Sequence, residues 1–198
     1  MSFAQLSIED FCRRLGSGEP TPGGGAAAAL LAKIGAALAQ MVARHTLGRP
    51  RYAPVEGRMQ AIVAEAEDLA RRAGQLMDED AAAFLGLSEA FNLPRTDPAR
   101  DQTVDRACRR ATEVPLEVMR LAARLAELGA ELDRDGNQTL ANDARAALLL
   151  ARTAAEVSAG NVRANQPFLA DPAWAAQALR EAEDLLARIA DLQQGIPK

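Results

Sequence analysis

Residues 55–92 read VEGRMQAIVAEAEDLARRAGQLMDEDAAAFLGLSEAFN, the longest uninterrupted pattern in the chain. Apolar residues fall at Met59, Ile62, Val63, Ala66, Leu69, Ala70, Ala73, Leu76, Met77, Phe84, Leu87 and Phe91. Steps of three and four mark one face of a helix. Pro94 lies just past the end of the pattern.

Working outward, helix punctuation is plain on both sides. Ser7 followed by Asp10 reads as an acidic capping box, and Gly16 can end that first short helix. The loop Glu19-Pro20-Thr21-Pro22-Gly23-Gly24-Gly25 leads into an apolar helix from about Gly25 to about His45. Asp97-Pro98 pairs an N-cap with proline at the first helical position. That helix is expected to run to about Thr112, to break or kink at Pro115, and to resume through about Asp133. After the loop Asp135-Gly136-Asn137-Gln138 comes a helix from about Thr139 to Ala164, and Asp171-Pro172 starts a last one ending near Gln193.

No stretch alternates with period two. The expected fold is all-α: a bundle of about six mostly long antiparallel helices, forming a single domain over residues 1–198. Composition agrees. Of 198 residues 48% are hydrophobic, much of that alanine, and only 4% are aromatic. Alanine is the strongest helix former, and small side chains let helices approach closely. Ala-rich faces of long helices leave apolar surface that a second copy could cover, so a homodimer or larger oligomer is expected.

Charge and cysteine content narrow the function. The net charge is −4 and no basic block occurs, which argues against nucleic acid as a partner. A small anionic ligand needs only a local patch. Cys12 and Cys108 stand far apart without a CxxC pair, and His45 is the single histidine, so no metal site is expected. The two cysteines read as reduced thiols of a cytoplasmic protein. The N-terminus shows no secretion signal. The apolar run from Ala26 to Ala43 carries Lys33 and Gln40 and has no second span, so it reads as a buried helix and not as a membrane segment.

Several residues break the pattern. Asp80 falls on the apolar stripe of the long helix. A carboxylate there costs several kcal/mol unless it is paired with an Arg or lies at a wet cleft. Asp143 borders the buried face of its helix, and it also stands in a first turn, where the helix dipole favours an acid. Pro22-Gly23-Gly24-Gly25 before a helix could press backbone against a ligand, or could be a plain turn into a tightly packed helix. Asn161 and Asn165, four apart, share a helical face and could bind a ligand or satisfy nearby chain ends. Arg49, Arg51 and Tyr52 form a loop that could grip a carboxylate or be merely solvated.

Taken together, these motifs resemble the formimidoyltetrahydrofolate cyclodeaminase and methenyltetrahydrofolate cyclohydrolase family. The matching stretches are Pro20–Ala26, Met41-Val42, Gly48–Tyr52, Asp78–Phe84, Ala111–Leu116, Gly136-Asn137 with Asn142-Asp143, and Asn161–Asn165. Many members have Ser at the places of Ala26 and Asn142, and an apolar residue and Leu after the second Asn, where this chain has Gln166-Pro167. The resemblance implies a dimeric helical fold, a tetrahydrofolate substrate and no further cofactor. It implies closure of a formimino group to the methenyl ring with loss of ammonia, or alternatively hydrolysis of that ring to the 10-formyl form. A non-catalytic folate-binding or scaffold role on the same fold is the reading of another class. On the catalytic readings Asp143 is the expected general acid/base, with Asp80 as the second candidate. Asn137 and Asn161 would orient the pterin edge or one-carbon group, and Arg51 would meet the glutamate tail. Pro22, Gly23, Gly24, Gly25, Tyr52 and Asn165 complete the expected binding residues.

Overall fold

The computed structural model describes residues 2–194. Among them are six α-helices and no strand: α1 (Ile8–Leu15), α2 (Gly24–Thr46), α3 (Glu56–Phe91), α4 (Arg100–Asp135), α5 (Ala141–Asn165) and α6 (Pro172–Gln194). The expected boundaries hold to within a few residues, with one correction: Asp97-Pro98 is not the cap and first position of a helix but a turn before it, in which Asp97 accepts from the Ala99 amide, and α4 begins at Arg100 with Ala99 at its N-cap. Ser7 accepts a hydrogen bond from the Asp10 amide, and Asp171 accepts from the amides of Ala173 and Trp174 at the start of α6. The Ser7 hydroxyl also donates to the Asp10 carboxylate, so that cap differs from the reciprocal box, in which the acid reaches back to a backbone amide.

Helix α2 lies at the centre and packs against α3, α4 and α5, while α6 lies on α4 and α5. The central packing is made of alanine. Ala29, Ala32, Ala36, Ala39 and Ala43 of α2 are fully buried, as are Ala144, Ala147, Ala151 and Ala155 of α5. Two glycines allow backbones to meet. A Cβ on Gly35 would lie 3.1 Å from the Ala147 carbonyl oxygen, and one on Gly129 3.1 Å from that of Ala144. Helix α2 passes the length and hydropathy test for crossing a membrane, with mean hydropathy 1.7, but half of that window is buried against its neighbours.

Ion pairs hold α3 in register on α4. Arg58 grips Glu131 at 2.6 Å, Arg72 grips Glu117 at 2.7 Å, and Arg124 pairs with Glu65. Asp78 and Glu79, beside Asp80 on α3, are both engaged. Asp78 accepts from the Ser2 hydroxyl and the Phe3 amide, and Glu79 pairs with Arg72 and Arg110.

The expected break at Pro115 is not found: α4 runs continuously from Arg100 to Asp135 with the proline inside it. Proline removes the amide that would bond to the carbonyl four residues earlier, which here is that of Ala111. The Asn165 side-chain amide, arriving from α5, donates to the Ala111 oxygen at 2.9 Å and takes the missing partner's place. Replacing Asn165 by Ala is therefore expected to cost ~1–3 kcal/mol by stranding that carbonyl. In a Pro115→Ala background the same change should cost much less, since the alanine introduced there supplies its own backbone amide. A double-mutant cycle by urea denaturation checks this, and equal costs in both backgrounds would discard the account.

Candidate active site

The glycine loop enters α2 with Gly23 at the N-cap position and no side-chain cap. The Asp80 carboxylate of α3 lies against this first turn instead, with the Ala26 amide near enough to favour its charged form. A helix N-terminus favours a negative charge, so this contact stabilises the ionised form. Burial acts in the opposite direction and is the larger effect, so the Asp80 carboxyl is held above the usual aspartate value of 3.8. No arginine or lysine pairs with Asp80 among the described residues, so the ion-pair alternative is not what the fold uses.

Gly25 is what permits the approach. A Cβ there would fall 1.9 Å from one Asp80 carboxylate oxygen and 2.5 Å from its carbon. The neighbouring glycines are not constrained in this way. A Cβ on Gly24 would meet only Val157, at 4.0 Å, and one on Gly23 nothing within 4 Å. Both instead face a cavity of about 320 Å³. Its walls come from four helices and one loop: Thr21 and Gly23–25, Asp80 with Phe84 and Leu87 one and two turns on, Ala111 of α4, and Asn161 with Asn165 of α5. The volume lies at the lower end of the ~300–1,000 Å³ usual for small-molecule sites.

The α5 wall holds two amides with different duties. Asn165 is committed to the Ala111 carbonyl. Asn161 makes no side-chain hydrogen bond among the described residues and is free for a ligand. Phe84 is the residue that periodicity misplaces. The spacing puts it on the buried stripe, but it is 49% exposed and walls the cavity. The available signal is its position four residues after Asp80, on the same face of α3. Pro22, expected in the loop, is buried behind this wall.

The other expected residues lie at the far end of the bundle. Asn137 is 2% exposed and acts as a clamp. Its amide donates to the Thr46 hydroxyl, its side chain donates to the His45 carbonyl and accepts from Thr139. The Tyr52 hydroxyl accepts from the Gln138 amide, and Arg51 lies over the Tyr52 ring at 5.6 Å. Asp143 begins α5 eighteen residues before Asn161, or roughly 27 Å along the helix at ~1.5 Å per residue. Within one chain, then, Asp143, Asn137, Arg51 and Tyr52 do not line the cavity that holds Asp80. No three potential metal ligands converge among the described residues.

The profile of the formiminotransferase-cyclodeaminase family matches residues 7–184 of the chain. The chain belongs to that family. Within it, methenyltetrahydrofolate cyclohydrolase of Methylorubrum extorquens is 36% identical over 194 residues, covering 96% of this chain and 93% of that protein. Formimidoyltransferase-cyclodeaminase of Mus musculus is 33% identical over 153 residues, which cover 74% of this chain and 28% of the mouse protein. The crystal structure of formiminotetrahydrofolate cyclodeaminase from Thermotoga maritima superposes with a TM-score of 0.90 at 30% identity, covering 96% of this chain and 93% of that one. As a family member the chain keeps the cyclodeaminase fold almost end to end, with its glycine loop, Asp80 and Asn161 gathered at one cavity.

Proposed function

We propose that this family member binds a reduced folate at the Asp80 cavity and opens or forms its 5,10-methenyl bridge. The observation that carries the reading is the Asp80 carboxyl, held above its usual range by burial and facing the cavity between the glycine loop and Asn161. Hydrolysis to 10-formyltetrahydrofolate draws support from the cyclohydrolase relative, which matches nearly the whole chain. Closure of the formimino group with loss of ammonia, the first reading of the sequence, draws support from the Thermotoga structure.

Both directions need a proton-transfer group and no metal ion or redox partner. In hydrolysis, Asp80 accepts a proton from water as the oxygen bonds to the methenyl carbon. The tetrahedral carbon then carries one hydroxyl and two nitrogens. Its bond to N5 breaks, the proton passes to N5, and one net proton is released with the neutral 10-formyl product. In ring closure, N10 attacks the formimino carbon, and the departing nitrogen takes up protons and leaves as ammonium. A carboxyl shifted toward neutrality serves both ends of such a transfer. Asn161 offers an amide to the pterin edge or one-carbon group, and Phe84 offers an aromatic face. The chemistry takes place in the cytoplasm, in keeping with two free thiols at Cys12 and Cys108.

The test is spectrophotometric, since the methenyl ring is a chromophore that the open forms lack. Accelerated loss of 5,10-methenyltetrahydrofolate establishes the hydrolase, and its appearance from 5-formiminotetrahydrofolate establishes the cyclodeaminase. Rates equal to buffer with both would end the reading.

The enzyme acts as a homodimer joined through the outward face of α2 and α5. Ile34, Leu149 and Val157 are 42%, 50% and 39% exposed there. The α2 stripe Ala27, Leu30, Leu31, Ile34, Ala37, Leu38 and Met41 carries no charge over its length. Two helices ~35 Å long and ~10 Å wide offer ~700 Å² per copy, close to the ~800 Å² of a standard interface. Ile34→Glu is expected to shift sedimentation from dimer to monomer with helix content kept. A monomeric wild-type peak at micromolar concentration would remove the dimer.

A further inference from the structure

We infer that the aminobenzoyl ring of the folate lies on an aromatic shelf at the mouth of the cavity, formed by Phe84, Phe91 and Phe168. This rests on the folate reading above and fixes which way round the substrate lies. The carbon of the methenyl bridge joins N5, which is part of the pterin, to N10, which carries the aminobenzoyl ring directly. An acid that serves this carbon therefore has a polar pterin on one side. On the other it has an aromatic ring, one bond beyond N10.

The surroundings of Asp80 divide in the same way. The backbone of Gly23–Gly25 and the unengaged amide of Asn161 are polar groups that suit the hydrogen-bonding edge of a pterin. Along α3 the chain offers Phe84, Leu87 and Phe91 instead, at steps of three and four on one face of the helix. Phe84 and Leu87 belong to the cavity wall. Phe84 lies ~6 Å and Phe91 ~16 Å along the axis from Asp80, at ~1.5 Å per residue. Phe91 meets Phe168 edge to face, with ring centroids 5.1 Å apart. Phe168 closes the short turn Gln166–Phe168 that follows Asn165, itself part of the cavity wall. Phe84 and Phe168 are each 49% exposed, so three of the five phenylalanines gather at this mouth with two of them half open. Large apolar side chains exposed together mark a binding surface. The cavity, at about 320 Å³, is short of room for pterin, aryl ring and glutamate at once, so part of the ligand lies on its rim. An aryl ring on these phenylalanines stacks or packs edge to face as aromatic pairs do. The glutamate then leaves past Phe168, at the opposite end of the bundle from Arg51.

Two measurements decide it, and neither depends on turnover. The first is binding calorimetry with two probes. 5-Formyltetrahydrofolate carries the aminobenzoylglutamate arm, and 5-formyl-6-methyltetrahydropterin lacks it. Phe168→Ala should weaken binding of the first by ~3–10-fold, the loss expected for one aromatic pair. Binding of the second should change by less than about twofold. Phe168→Leu keeps apolar packing against Phe91 and should show the same selective loss, which separates the effect from a folding defect. Equal weakening of both probes, or of neither, overturns the shelf.

The second is a thiol footprint. Cys108 is buried and Cys12 exposed, so a Cys12→Ser background leaves no reactive native thiol among the described residues. In that background the thiol of Phe168→Cys should react with iodoacetamide several-fold more slowly when 5-formyltetrahydrofolate saturates the protein. The truncated pterin should not slow it, and the thiol of Arg49→Cys, in the far loop, should react at one rate throughout. Protection at position 49 and not at 168 overturns the orientation. Unchanged reactivity at 168 with 5-formyltetrahydrofolate bound also overturns it, and leaves the folate reading standing. Failure of 5-formyltetrahydrofolate to bind the native protein would fail both.

Discussion

Asp80→Asn is expected to cost at least ~100-fold in turnover and at the same time to raise the melting temperature at neutral pH. The two effects share one cause. Burial holds the Asp80 carboxyl above 3.8, so ionising it in the folded protein costs more than in the unfolded chain. For an acid whose folded pKa is raised, the group's best contribution to stability lies below the unfolded value and is lost as pH rises through the folded one. The neutral amide escapes that loss and keeps an oxygen for the Ala26 amide. The stabilising gain should therefore be full above the folded pKa and fade as pH falls to 3.8 and below. Calorimetry of both proteins across pH 3–8 reads the sign directly. A variant that loses activity but gains no stability at pH 7 would show that the carboxylate is better solvated than its burial implies.

Gly25→Ala should be the second severe change, and it is a single methyl. The new Cβ would overlap the Asp80 carboxylate, at 1.9 Å from one oxygen and 2.8 Å from the other. The acid is short and sits on a helix pinned to α4 by Arg58–Glu131 and Arg72–Glu117, so it must swing out of line. Doing so breaks the contact with the Ala26 amide and moves the proton-transfer group from the cavity. Turnover should fall ~100-fold or more, with an overpacking cost of ~1–3 kcal/mol. Gly24→Ala is the control. Its Cβ meets only Val157 at 4.0 Å, so its folding stability should stay at the wild-type level or rise slightly. Equal thermal stability for the two alanine variants would show that the Asp80–Gly25 contact is looser than described.

The helices are legible because two independent signals agree at each end: apolar spacing of three and four, and a Pro, Gly or Asp where the spacing stops. The continuity at Pro115 is not legible. Whether a proline breaks a helix depends on what satisfies the freed carbonyl, and here that partner is Asn165, on another helix. Sequence spacing does not reveal which element will supply an amide. Asp80 stands out in the sequence as an acid on an apolar stripe, since the cost of burying it demands a reason. Asp143 and Asn137 enter the same expected site by motif order alone. Counting along antiparallel helices separates them. Gly25 stands twenty-one residues up α2 from Thr46, and Asn161 twenty-four up α5 from Asn137, whereas Asp143 stands only six. With Thr46 bonded to Asn137, the first two residues share a level and the third does not. Phe84 is misassigned because periodicity separates an apolar face from a polar one, and a cavity wall is apolar and exposed together.

The bond from Asn165 to the carbonyl left bare by Pro115 also sets an order of mutational steps. A lineage that first exchanges the proline for a residue with an amide can later lose the asparagine freely, since the carbonyl is already served. A lineage that first loses the asparagine must pass through a protein with an orphaned carbonyl in the wall of its own active cavity. The two positions are thus coupled in descent, and the path between the paired and unpaired forms opens from one side.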